Sequence, residues 1–88
     1  MKSKYSFEIM ELDDSIVAVP VGDNAAELHA VLNINEEAKR ILELLREDTT
    51  SDQIVSQLMK EYIGEEDHIR LLVDAYLDQL RQEGFLEE

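Results

Sequence analysis

Leu32-Asn33-Ile34-Asn35-Glu36-Glu37-Ala38-Lys39-Arg40-Ile41-Leu42-Glu43-Leu44-Leu45 is where the hydrophobic period of this chain changes. Up to Ile34 apolar residues recur at every second position, as on a strand with one face covered. From Asn35 onward Ala38, Ile41, Leu42 and Leu45 fall at i, i+3, i+4 and i+7, the stripe of an amphipathic helix. Asn35 is suited to capping that helix, because its short side chain accepts a bond from an amide of the first turn. Glu36 and Glu37 follow where the helix macrodipole favours anions. Everything before Asn35 therefore reads as strand, and everything after it as helix.

Working towards the N-terminus, Glu27 to Ile34 reads as a third strand, with Leu28, Leu32 and Ile34 on one parity and Val31 on the other. Gly22-Asp23-Asn24 is a turn before it. Ile16-Val17-Ala18-Val19-Pro20-Val21 is a second strand, apolar on both faces, and Pro20 withholds one ladder donor. Asp13-Asp14-Ser15 separates it from the first strand, Tyr5 to Leu12, where Tyr5, Phe7 and Ile9 alternate with Ser6 and Glu8. Strands joined by such short turns form an antiparallel meander, which needs helices on one face to be stable.

Towards the C-terminus, Thr50-Ser51-Asp52-Gln53 has capping-box spacing and opens a second helix carrying Ile54, Val55, Leu58, Met59 and Tyr62. Gly64 is placed to close it. A third helix runs from near Glu65 to about Glu83. On it Leu72, Tyr76, Ile69, Leu80, Val73 and Leu77 occupy one arc of roughly 140°. Gly84 is the expected C-terminal cap, and Phe85-Leu86 an apolar hook beyond it. The expected core comprises Leu42, Leu45, Ile54, Leu58, Val73, Tyr76 and Leu80. The fold class is α+β: a three-stranded antiparallel sheet followed by three helices, winged-helix-like, as one domain over residues 1–88.

Composition narrows the function. In 88 residues there are 8 Lys plus Arg against 21 Asp plus Glu, a formal charge of −13. Nucleic-acid affinity rests on Lys and Arg displacing condensed counterions, so this balance argues against a phosphate-backbone binder and against an anionic membrane surface. The absence of cysteine removes disulfides, thiolate metal sites and Cys nucleophiles. No apolar run is long enough to span a bilayer, and Met1-Lys2-Ser3-Lys4 leads into Tyr5 and Phe7 without a signal-peptide core. A cytoplasmic protein is the expectation.

Catalysis finds little support. His29 reads as a surface or rim histidine of the third strand, and Asp67 and Glu65 near His68 lie in the solvated first turn of a helix, so neither has the ligand spacing that a metal site requires. Asp13-Asp14 and Glu65-Glu66-Asp67 are explained as turn and helix-start residues. With three glycines there is no phosphate-cradling loop, and no Gly-x-Ser-x-Gly elbow occurs. The expectation is a protein that is not an enzyme and uses no cofactor or metal. The second and third helices have helix-turn-helix character, but the start of the recognition helix carries Glu65, Glu66, Asp67 and His68, with Arg70 the early cation. Acidic side chains repel phosphates and read few base edges. What remains is the sheet edge, which accepts a further strand through main-chain bonds, beside a partly apolar third helix.

Val17-Ala18-Val19-Pro20-Val21-Gly22-Asp23-Asn24-Ala25-Ala26, then Leu32-Asn33-Ile34-Asn35-Glu36 and Ile41-Leu42-Glu43-Leu44-Leu45, resembles the PqqD-like family. Thr50 to Val55, Leu58 through Tyr62, and the ending Leu80-Arg81-Gln82-Glu83-Gly84-Phe85-Leu86 extend the resemblance over nearly the whole chain. Relatives commonly have a Gly where this chain has Ala38 and an Ile-Trp pair where it has Ile41-Leu42, which points to a divergent branch.

The resemblance implies a recognition element for ribosomally made, post-translationally modified peptides. Such domains capture the leader segment of a precursor peptide as an added strand. They present it to a modifying enzyme, often a radical S-adenosylmethionine protein. Carried over, the peptide-binding edge is Leu28, His29, Ala30, Val31 and Leu32, and the helix wall is Arg70, Val73, Leu77 and Arg81. The implied partners are a leader peptide and a radical S-adenosylmethionine maturase, with no nucleic acid or membrane, the protein acting as a monomer or weak homodimer. The alternative of another class is a winged-helix regulator that binds DNA or a protein partner.

Overall fold

A computed structural model describes residues 1–22 and 31–88. Its elements are β1 (Lys2–Ser3), β2 (Ser6–Leu12), β3 (Ser15–Val21), β4 (Leu32–Ile34), α1 (Glu36–Leu44), α2 (Ser51–Glu61), α3 (Glu66–Gln82) and β5 (Leu86–Glu87). β2, β3 and β4 form the expected antiparallel sheet in that order, with β3 central. The fold is α+β, a three-stranded sheet followed by three helices. Among the described residues no helix is long and apolar enough to cross a membrane.

The β2–β3 hairpin turns on Asp13-Asp14, and its ladder runs from Leu12↔Ser15 to Ser6↔Val21. The β3–β4 ladder pairs Ile16 with Ile34, Val17 with Asn33 and Ala18 with Leu32. The strand expected over Glu27–Ile34 is thus seen as Leu32–Ile34 in its described part, with Val31 outside the ladder; Glu27 to Ala30 lie outside the described residues. Phe7, Ile9, Ala18, Leu32 and Ile34 share the inner face and pack on the helices.

The caps behave as the sequence suggests. Asn35 Oδ1 accepts from the amide of Ala38 at 2.8 Å and starts α1. Thr50 and Gln53 close a reciprocal capping box at the start of α2, each side chain accepting from the other residue's backbone amide. The end of α3 is a Schellman motif: Phe85 N–H donates to Leu80 O at 2.9 Å and Gly84 N–H to Arg81 O at 3.1 Å. Gly84 has φ +79°, the left-handed conformation that this motif demands and glycine adopts most readily.

Ile41, Leu42 and Leu45 of the first helical stretch meet Ile54, Val55 and Leu58 of α2 and Ile69, Val73, Leu77 and Leu80 of α3 in one buried cluster. Six of the seven expected core residues are buried there, and Tyr76 is half-buried. Arg40 joins α1 to α2 through a two-pronged bond to the Glu61 carboxylate, at 2.8 Å from both Nε and Nη2.

Two features differ from the sequence reading. α2 is not closed by Gly64: the chain leaves the helix at Tyr62, whose extended backbone (ψ 150°) breaks the turn after its amide has bonded Leu58 O. Gly64 instead gives room to Ile69, whose Cδ1 lies 3.5 Å from where a β-carbon would stand. The second is a small additional sheet, in which β1 pairs with β5 through Lys2↔Glu87 and Ser3↔Leu86. The apolar hook at Phe85-Leu86 therefore ties the C-terminus to the N-terminus, and Ser3 N–H also bonds Leu45 O at 2.9 Å.

Candidate functional site

The sheet has two edges, β2 and β4. A two-residue turn makes Leu12↔Ser15 a hydrogen-bonded pair, and alternation along β3 then aims Ser15, Val17, Val19 and Val21 at β2. Ile16 and Ala18 consequently bond towards β4, where their partners are Ile34 and Leu32. The main-chain groups of Asn33 point the other way, to the open side of β4. Val31 shares that parity and is 61% exposed.

Where β4 gives way to α1, a shallow cleft of about 250 Å³ opens against α3. One side is formed by Asn35, Ala38 and Ile41, the other by Leu72, Ala75, Tyr76 and Gln79. These last four lie at i, i+3, i+4 and i+7, so one flank of α3 supplies the whole wall. Leu72 and Tyr76 pack on the core with part of each side chain left open. Burial, reinforced by the negative charge of Glu83, pushes the Tyr76 phenol up to about 12. It therefore stays a neutral hydrogen-bond donor throughout the physiological range. An open strand edge beside a half-apolar wall has the two features that bind an extended peptide: unpaired main-chain groups and side-chain pockets.

The residues expected from sequence are distributed differently. Leu28, His29 and Ala30 lie outside the described residues. Val31 and Leu32 are at the β4 edge, Leu32 half-buried with its side chain on the inner face. The residues of the expected helix wall are divided between the core and another side of α3. Val73, 0% exposed, is in the core, and Leu77, 2% exposed, lies at the floor of a separate cleft with Asp74, Asp78, Arg81 and Glu88. Arg70 donates to Asp52 at the start of α2, 2.7 Å away, and Arg81 to Asp78 and Glu88. Both arginines thus face away from the cleft beside Asn35. The flank that lines that cleft is Leu72, Ala75, Tyr76 and Gln79. Leu72 and Tyr76 were already one end of the apolar arc, but spacing alone does not say which end meets the sheet.

Among the described residues no group of three or more His, Asp or Glu is gathered as a metal site, and His68 is exposed at the start of α3. Glu66 and Asp67 are exposed beside it, so the first turn of α3 presents acidic side chains to solvent.

The same architecture occurs in the solved structure described as TbiB1 in complex with the TbiA(beta) leader peptide. The two superpose with a TM-score of 0.74 at 21% identity, over 99% of this chain and 95% of that one. At that identity the likeness concerns the fold. No curated protein sequence matches the chain. The family model described as coenzyme PQQ synthesis protein D (PqqD) matches residues 16–86, from the start of the central strand to the C-terminal hook, and the chain belongs to that family.

Proposed function

We propose that this protein is a non-catalytic binding module that captures the leader segment of a ribosomally made precursor peptide. The leader adds as a strand along the open edge of β4 and seats apolar side chains in the cleft against α3. The observation that carries the reading is the open β4 edge leading into Asn35, where the cleft walled by Leu72, Ala75, Tyr76 and Gln79 begins. Membership of the PqqD family and a fold shared with a protein solved with a leader peptide support it. The captured peptide is handed to a modifying enzyme, for which a radical S-adenosylmethionine protein is the proposed partner.

Several main-chain bonds of about 1 kcal/mol net each, plus two or three apolar side chains at roughly 1.5–3 kcal/mol apiece, exceed the ordering cost enough for a dissociation constant on the order of micromolar. The winged-helix regulator reading is disfavoured by the exposed Glu66 and Asp67 and by the engagement of Arg70 with Asp52. The test is titration of isotope-labelled protein with the leader of a precursor encoded beside its gene, followed through backbone amides. Shifts at Val31, Asn33, Leu72 and Tyr76 are expected. Shifts confined to α2, or none at saturating peptide, overturn the proposal.

A further inference from the structure

The opposite edge of the sheet is also open. Ser6, Glu8, Met10 and Leu12 bond towards β3, so the main-chain groups of Phe7, Ile9 and Glu11 face away from it. None of these three bonds another part of the described chain outside the sheet. Alongside them runs a cleft between β2 and α1. Its enclosed end, about 290 Å³, has Tyr5, Phe7, Ile9 and Leu42 as an apolar floor and Arg46 at its rim. Its open end continues past Glu8, Glu11, Lys39 and Glu43. There two carboxylates are already matched: Lys39 holds Glu11 at 2.6 Å, and Arg40 lies 3.8 Å from Glu43, while Glu8 makes no ion pair among the described residues.

The enclosed end differs electrostatically from the rest of this acidic molecule. Lys39, Arg40, Arg70 and Arg81 are all in ion pairs. Of the remaining four cations, Lys2, Lys4 and Arg46 are exposed, in or beside the segments that frame this end of the cleft, and none makes an ion pair among the described residues. An apolar floor, unpaired main-chain groups and an unneutralised guanidinium thus coincide at one corner.

We infer that the β2 edge is a second strand-accepting site, taking an extended acidic segment of a protein partner. Its aliphatic or aromatic side chains lie over Phe7 and Leu42, and a carboxylate meets Arg46 in a charge-assisted bond. A second copy of this chain fits poorly. Pairing two β2 edges sets two strands that each carry Glu8 and Glu11 side by side, on molecules of charge −13 each. The site lies on the opposite edge from the leader cleft, so both can be filled at once.

The probe is the synthetic peptide acetyl-Thr-Val-Phe-Val-Asp-Asp-amide, titrated into the labelled full chain, with a control in which both Asp are Lys. Amides of Phe7, Ile9, Glu11 and Arg46 are expected to shift with the acidic probe. Affinity should fall roughly tenfold for the Lys control and for Arg46→Glu, the effect of losing one charge-assisted hydrogen bond. Arg46 is exposed, so the variant should keep its fold, which its amide spectrum verifies. Equal response to both probes, no shift at these amides up to millimolar peptide, or the same shifts on concentrating the protein alone would each overturn the inference. Shifts at Asn33 and Val31 instead would assign the probe to the other edge.

Discussion

Phe7 and Phe85, from opposite ends of the chain, meet edge to face, with ring centroids 5.6 Å apart and planes at 78°. Tyr5 approaches the same ring at 6.0 Å and 79°. Such contacts add roughly 0.5–1.5 kcal/mol each to ordinary apolar burial. The Schellman turn at Gly84 aims Phe85 into this position, and the β1–β5 pair holds it there. The C-terminal hook is thereby part of the core beneath β2.

Phe85→Ala is expected to destabilise the protein by about 3–5 kcal/mol, and Leu58→Ala in α2 by about 2–5 kcal/mol. Gly84→Ala should cost on the order of 1 kcal/mol, because a β-carbon is strained at φ +79° even though no atom stands within 4 Å of it. Urea unfolding reads all three. An unchanged midpoint for Phe85→Ala would mean that the hook does not stabilise the fold.

The Arg40–Glu61 pair gives a dependence on acid. The guanidinium, with Gln57 Nε2 donating at 2.7 Å, holds the Glu61 carboxyl below its ordinary value. A carboxyl whose pKa is lowered on folding contributes stability above its unfolded value, 4.5, and that contribution is lost as pH falls through the lower folded value. Both side chains are about a third exposed, so the contribution is modest, about 0.5–1 kcal/mol. Arg40→Leu should therefore be less stable than the parent at neutral pH, with the difference shrinking in acid. Denaturant midpoints across the acid range check this, and a constant difference would show that Glu61 is not the titrating group.

The fold was legible because its signals are local. Asn35, Thr50 and Gly84 each mark a helix boundary through a short-range bond, and the change of period at Asn35 divides sheet from helix. Gly64 misled because its neighbour Tyr62 ends α2 by turning extended, a choice made by packing rather than by glycine's freedom. The β1–β5 pair joins residues more than eighty positions apart, and two-residue strands carry no period to detect. The helix wall implied by the resemblance differs from the flank that lines this cleft for a related reason. Val73 and Leu77 lie on the same apolar arc as Leu72 and Tyr76, and which end of an arc is covered depends on how α3 is rotated against α1 and α2. Arg70 and Arg81 were expected at the site from the resemblance, and helical spacing does not reveal that Asp52, 18 positions from Arg70, and the terminal Glu88 engage them.

Proline substitution distinguishes the two sides of β4. At Asn33 the amide points to the open edge, so Asn33→Pro should lower leader affinity by at least roughly tenfold, the loss of one or more main-chain bonds. At Leu32 the amide bonds Ala18, so Leu32→Pro should weaken the fold itself. Thermal unfolding of both variants, with leader titration of the folded ones, separates these effects. If Asn33→Pro bound leader as the parent does, strand addition at this edge would be ruled out.

Tyr76 connects the cleft to a measurable titration. Its phenol is held up to about 12 by burial and by Glu83, against 10.0 for a free tyrosine. The folded state thus keeps this proton more tightly than the unfolded state does. The associated stability is whole below pH 10 and is lost as pH rises towards 12. Tyr76→Phe removes this dependence, so the variant should gain stability relative to the parent over that interval. Tyr62 is also raised by burial, which makes the variant, rather than the parent's titration curve alone, the means of assignment. A leader seated in the cleft covers Tyr76 further and should delay appearance of its tyrosinate absorbance, in the parent but not in Tyr76→Phe. If saturating leader left that absorbance unchanged, the peptide would not be lying against the Leu72–Gln79 flank of α3.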